Sequence, residues 1–302
     1  MRKSTLTLAL FLFTSVTTFA RGVPDGAEVA LSPGDSKVGS YTSSLEGFNT
    51  VSYWIEGPTG LIVIDTQFLP SAAEQLIDWA EKTTGKKIVL AIALHPNPDK
   101  FNGTAVFQKH GIRVVTSEQV LKLIPAVHKL RKSWFYDRFK PDYPADEPKP
   151  ESFGNKTTEL QAGGITVKAH VLGPGCSAAH VVVEYGKHVF VGDLVTQGFH
   201  SWLELGLLKE WLNRLNEIRD IEPTFVHTGR GGSGYDDLLD REEKYLSTVI
   251  RIVKSHQPKK GMALSEKTSK KIFDEIIAAY PSYDNARFVE NGLEAVWAKL
   301  AQ

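Results

Sequence analysis

The spacing of apolar positions changes several times along the chain, and each change marks an element. Residues 47–56 (GFNTVSYWIE) and 61–66 (LIVIDT) are rich in β-branched and aromatic side chains. Gly57-Pro58-Thr59-Gly60 lies between them, so they predict a hairpin. Residues 71–82 carry Leu76, Ile77, Trp79 and Ala80 at helical spacing after Pro70, a suitable first helical residue. Residues 87–94 (KIVLAIAL) form an unbroken apolar run, the mark of a strand buried on both faces. A helix over 104–110 and a strand over 112–115 continue this βαβ alternation to about residue 134.

Residues 134–157 read differently. Trp134, Phe135, Tyr136, Phe139 and Tyr143 crowd together, and Pro141, Pro144, Pro148 and Pro150 interrupt regular structure. The segment reads as an ordered insertion, either a lid over a site or an aromatic segment packed on the core. Strands resume at 164–172, 180–185 and 188–194, with a tight turn at Gly186-Lys187. A helix over 203–218, a short strand over 225–227, a glycine-rich stretch over 228–234 and helices over 236–256 and 265–300 complete the pattern. Two halves of strands followed by helices predict an α/β fold, an αββα four-layer sandwich. No repeat and no linker divides it. One domain is expected over 21–302, with its core at about 45–235 and a helical part at 236–302.

The N-terminus adds an address. Arg2 and Lys3 precede an apolar run, and Thr18-Phe19-Ala20 offers small residues where a signal peptidase reads. Residues 1–20 are expected to be a signal peptide, and the protein periplasmic or secreted. No other segment is long and apolar enough to span a membrane. The chain of 302 residues has 35 basic and 35 acidic side chains, so its formal charge is zero. Removing residues 1–20 leaves it slightly acidic. That balance gives no electrostatic case for nucleic acid. A single cysteine excludes an internal disulfide and any Cys-x-x-Cys site. A functional site must therefore draw on histidines, carboxylates and at most one thiol.

Five segments carry a resemblance, in order. They are Ile64-Asp65-Thr66, then His95-Pro96-Asn97-Pro98-Asp99-Lys100, then Gly173-Pro174-Gly175-Cys176-Ser177-Ala178-Ala179-His180, then Val191-Gly192-Asp193, and Thr228-Gly229-Arg230-Gly231. Over about residues 45–235 this order resembles the metallo-β-lactamase superfamily, whose patterns there are His-x-His-x-Asp-His, Pro-Gly-His, Gly-Asp and Gly-His-Gly. The resemblance implies hydrolysis of a small ester, lactone or lactam by a metal-activated water. It matches His95, Asp99 and Asp193 to ligand positions. Asn97, Lys100, Cys176 and Arg230 stand where the family has histidines, and His180 matches a histidine that is not generally a ligand.

These replacements shape the functional expectation. The resemblance implies that Asp99 and Asp193 face Lys100 and Arg230, a charge-balanced group without any ion. His95, Asp99, Cys176 and Asp193 are the candidate ligands of at most one zinc ion, and the alternative is none. Asp99 is the candidate proton-handling carboxylate. Cys176 is a ligand, a nucleophile or a buried thiol. Asn97, Lys100, His180, His227 and Arg230 are candidate pocket or metal-replacing residues, His227 substituting for the lost histidine if the register shifts. Asp65 is expected to anchor its loop through backbone hydrogen bonds. The leading reading is an atypical hydrolase of a small substrate. Its rival is a non-catalytic protein that binds a small molecule in the same cleft.

Overall fold

The structure is a computed structural model that describes residues 27–32 and 34–301, so the signal peptide expected at residues 1–20 lies outside the described residues. The first half contains β1 (Glu28–Ser32), β2 (Asp35–Thr42), β3 (Val51–Glu56), β4 (Leu61–Ile64), α1 (Pro70–Thr84), β5 (Ile88–Ile92), α2 (Pro98–Phe101), α3 (Thr104–Lys109), β6 (Arg113–Thr116), α4 (Glu118–Phe139) and β7 (Glu151–Ser152). The second contains β8 (Thr158–Ala162), β9 (Ile165–Leu172), β10 (His180–Tyr185), β11 (His188–Thr196), α5 (Leu208–Arg219), β12 (Phe225–Arg230), β13 (Ser233–Tyr235), α6 (Asp237–Ser255), α7 (Glu266–Ala279), α8 (Arg287–Glu290) and α9 (Leu293–Leu300).

Strands β1 to β7 form one sheet in sequence order, and the other runs β13-β12-β11-β10-β9-β8. The hairpin of β3 and β4 pairs antiparallel, while β4, β5 and β6 are parallel, as buried βαβ crossovers require. Alternation along each strand divides the core. In β4, Ile62 and Ile64 face the second sheet, while Leu61 and Val63 pack under Ala73, Leu76 and Ile77 of α1. In β10 and β11, Val181, Val183 and Phe190 fill the space between the sheets, and Val182, Val189 and Val191 meet Trp211 and Leu215 of α5. Both faces of each sheet are thus apolar, which gives the αββα sandwich. Each fully buried aliphatic side chain contributes about 1.5–3 kcal/mol, so the core stabilises the fold without a disulfide.

Several expectations need correction. The aromatic segment from residue 134 is not an insertion at its start, because α4 runs on to Phe139. Pro125 inside the helix hides its period, although Ser117 caps it in the ordinary way, accepting the Val120 N–H at 3.2 Å. Phe68 packs edge-on against Phe135, Phe139 and Tyr143 with centroids 5.2–5.5 Å apart. Phe135, Tyr136, Phe139 and Tyr143 of this segment therefore pack on the core, while Trp134 is exposed. Helix α5 begins at Leu208 rather than 203, and residues 265–300 form α7, α8 and α9 instead of one long helix. Strands β1, β2 and β8 had no strong sequence signal, since their burial is partial and irregular. Among the described residues, no helix is long and apolar enough to cross a membrane.

Candidate functional site

Strand ends converge on one edge of the sandwich. Asp65 follows β4 in the left-handed region (φ 65°), and its Oδ1 accepts the Leu94 N–H at 2.9 Å. That bond ties the end of β4 to the loop after β5, the anchoring role expected of it. Leu94 in turn accepts the Val181 N–H at 2.6 Å, which fixes His95 against the start of β10. Two glycines make the close approach possible. Gly192 interrupts the β11 register at φ 55°, beneath His95. At Gly229 a Cβ would lie 2.0 Å from Asp193 Oδ1, so only glycine fits beside that carboxylate.

The centre of the site is an ion-pair cluster. Lys100 Nζ lies 2.9 Å from Asp193 Oδ1, 3.0 Å from Asp99 Oδ2 and 3.7 Å from Asp65 Oδ2. Arg230 spans the same two carboxylates, with Nη1 2.6 Å from Asp193 Oδ2 and Nη2 2.8 Å from Asp99 Oδ2. Its Nε donates to the Phe48 carbonyl at 3.1 Å. All these side chains are buried. Burial opposes ionisation of Asp99 and Asp193, but Lys100 and Arg230 outweigh it and hold both carboxyls below the usual range. Burial prevails at Asp65, whose carboxyl is pushed up to about 8. At neutral pH the cluster thus holds two carboxylates, two cations and one neutral acid.

His95, Cys176 and His180 form a second group beside the cluster, one donor atom of each lying within 4.8 Å of the others. His95 Nδ1 is 3.1 Å from Ser177 Oγ, and its Nε2 is 3.7 Å from Asp193 Oδ2 without a hydrogen bond. Burial lowers His95 to about 4 and holds His180 well below its ordinary value, so both are neutral. His180 Nε2 accepts the Ser177 N–H at 3.0 Å and lies 3.8 Å from Cys176 Sγ. Burial pushes the Cys176 thiol up, so the thiolate that a nucleophile needs is disfavoured. The structure thus gives no support to Cys176 as a nucleophile.

His227 does not replace the lost histidine. Its Nε2 meets His188 Nδ1 at 2.9 Å, its Nδ1 meets Ser233 Oγ at 2.8 Å, and its ring stacks on Phe190. The register carries Arg230, three residues on, to the site. Lys100, Cys176, His180 and His227 are absent from the lining of the open cleft. Its walls include Asn97, Asp99, Asp193 and Arg230 together with Phe48, Phe68, Phe135, Trp202 and Phe288. Arg131 of α4 also lines it. That residue had no sequence signal, because it falls outside every motif.

The residues do not fit the two-metal centre that the resemblance implies. At 4 Å and an effective dielectric near 20, a divalent ion gains about 8 kcal/mol from each carboxylate and loses about as much to each cation. Two carboxylates facing two cations leave no net attraction to offset dehydration of the ion. The His95, Cys176 and His180 group has suitable donor types, and His95 Nε2 and His180 Nδ1 lack hydrogen-bond partners. Its thiol must still lose a proton that burial retains.

The sequence model of the Metallo-beta-lactamase superfamily matches residues 45–249. A "Metallo-beta-lactamase type 2" of Elizabethkingia meningoseptica is 23% identical over 265 residues, covering 85% of this chain and 96% of the relative. A metallo-beta-lactamase from Pontibacter korlensis superposes with a TM-score of 0.57 at 21% identity, over 73% of this chain and 99% of that one. DIM-1 metallo-beta-lactamase does so with 0.57 at 18% identity, over 73% and 98%. The fold, the converging strand ends and the matched span lead to one conclusion: this chain belongs to the metallo-β-lactamase superfamily.

Proposed function

We propose that this protein binds a small organic molecule in the cleft and that a fixed ion-pair cluster has replaced the two-metal hydrolytic centre of its family. One observation carries the reading: Lys100 and Arg230 both engage Asp99 and Asp193, the carboxylates a metal would use. Residues 1–20 support delivery of the chain to the periplasm or beyond, where a soluble ligand would be met.

A second reading has its own support. The grouping of His95, Cys176 and His180 favours an atypical hydrolase of a small ester, lactone or lactam that holds one zinc there. Elemental analysis after zinc incubation and desalting separates the two readings, run on the mature protein and on Cys176→Ala. The binding reading expects substoichiometric metal in both proteins and no turnover of ester or β-lactam substrates. One zinc per chain, lost in Cys176→Ala and accompanied by hydrolysis, overturns it.

A further inference from the structure

We propose that the ligand of the cleft is a small organic monoanion with a flat apolar body, an aryl carboxylate, and that Arg131 recognises its negative group. This rests on the binding reading above. Arg131 sits in α4 and lines the cleft, yet its side chain is only 4% exposed. Its Nη2 is engaged by the Glu204 carboxylate, while its buried Nη1 has no hydrogen-bond partner. The guanidinium carbon lies 4.2 Å from the Trp134 ring centroid and 5.3 Å from that of Trp202. Trp202 Nε1 donates to the same Glu204 at 3.0 Å.

The chemistry of the ligand follows from what is left over. Buried donors without acceptors are rare and costly, and an incoming carboxylate supplies an acceptor of the right charge. Arg230 cannot do this, because both Nη atoms face Asp99 and Asp193 and Nε faces the Phe48 carbonyl. One spare guanidinium nitrogen suits one carboxylate oxygen rather than a phosphate, which calls for several donors. Asp99 and Asp193 on the far wall are already paired with Lys100 and Arg230, and beside Asn97 and Pro98 the rest of the lining (Phe48, Phe68, Phe135, Trp202 and Phe288) offers aromatic surface and no further spare cation. Such walls favour a planar, apolar body. Nη1 is closed off from solvent, so the ligand must part neighbouring side chains to reach it.

The test uses the mature protein and matched pairs: phenylacetate against phenylacetamide, and indole-3-acetate against its amide. Calorimetric titration and thermal unfolding are expected to show binding of the acids and about tenfold weaker binding of the amides. Arg131→Lys keeps a cation beside Glu204 but loses the fork, and is expected to weaken the acids about tenfold and the amides by less, so that the gap between each pair narrows. Glu204→Gln frees the guanidinium and is expected to tighten the acids, a gain that a damaged fold cannot mimic. Equal affinity for acids and amides, no acid binding at all, or unchanged acid affinity in Arg131→Lys overturns the proposal. Equal affinity leaves the binding reading intact, whereas zinc-dependent hydrolysis removes that reading.

Discussion

Lys100 Nζ lies 2.9 Å from Asp193 Oδ1, on a side chain wholly withdrawn from solvent. The ammonium occupies a position among Asp65, Asp99 and Asp193 that resembles the place of an ion. A covalently tethered cation differs from a metal in two respects. It cannot leave, and it has no open coordination position for a water or substrate.

Removing that cation leaves buried carboxylates facing Arg230 alone. Lys100→Met is expected to destabilise the fold by about 3–5 kcal/mol, the usual cost of breaking a buried ion pair from one side. Asp193→Asn in the same chain should recover part of the loss. Urea unfolding of the single and double variants checks this through their coupling. Additive losses would mean that the two groups do not interact.

Restoring the family's histidines should restore metal affinity. A chain with Asn97→His, Lys100→His, Cys176→His and Arg230→His removes both cations and adds imidazoles at four positions of the site. It is expected to retain zinc through desalting, where the unaltered protein does not. A folded variant that still binds no zinc would show that shape, not charge, excludes the ion.

Acid should weaken the protein well above the range of its carboxylates. Burial lowers His95 and His200 to about 4 and His227 to about 3, and it holds His180 well below the ordinary value. Once unfolded, each takes a proton near pH 6.5, so stability falls as pH drops below that value. Burial raises Asp65 to about 8 and Glu242 to about 7; these two keep their protons in the fold and act in the opposite sense. Four histidines against two acids leave a net loss on acidification. The urea midpoint is expected to be lower at pH 5 than at pH 7, and His227→Gln should narrow the gap. Below about pH 4 the lowered Asp99 and Asp193 add a further loss, because their stabilisation exists only above the unfolded carboxylate range. An identical midpoint at both pH values would contradict this account.

The thiol should behave as a core group. Cys176 is buried and its ionisation is disfavoured. Iodoacetamide at neutral pH is expected to label it slowly in the native protein and rapidly in urea. Fast native labelling would restore the nucleophile reading.

Gly229 offers a test of the close approach. Gly229→Ala would bring a Cβ to 2.0 Å from Asp193 Oδ1, and the carboxylate cannot retreat without leaving Lys100. A loss of about 1–3 kcal/mol or more is expected in thermal unfolding. Gly229 does not lie in the left-handed region, so the loss reports the close approach and not backbone strain.

The sandwich was legible along the chain because its central strands are buried on both faces. β5 is apolar without interruption, β10 and β11 carry the short runs at 181–183 and 189–191, and such runs have few other structural solutions. The residues of the cluster were also legible, since each falls in one of the segments that carry the family resemblance, and their opposite charges suggested pairing. Three matters were decided by the tertiary structure alone. Register sends His227 to His188 and Ser233 and delivers Arg230 to Asp99 and Asp193. Burial sets the protonation of Asp65, His95 and Cys176, because desolvation depends on neighbours remote in sequence. The packing of α4 brings Arg131 into the same cleft as Arg230, although no local pattern connects them. Period and turn chemistry are local and can be read from a chain. Desolvation and convergence arise only when distant segments exclude water together.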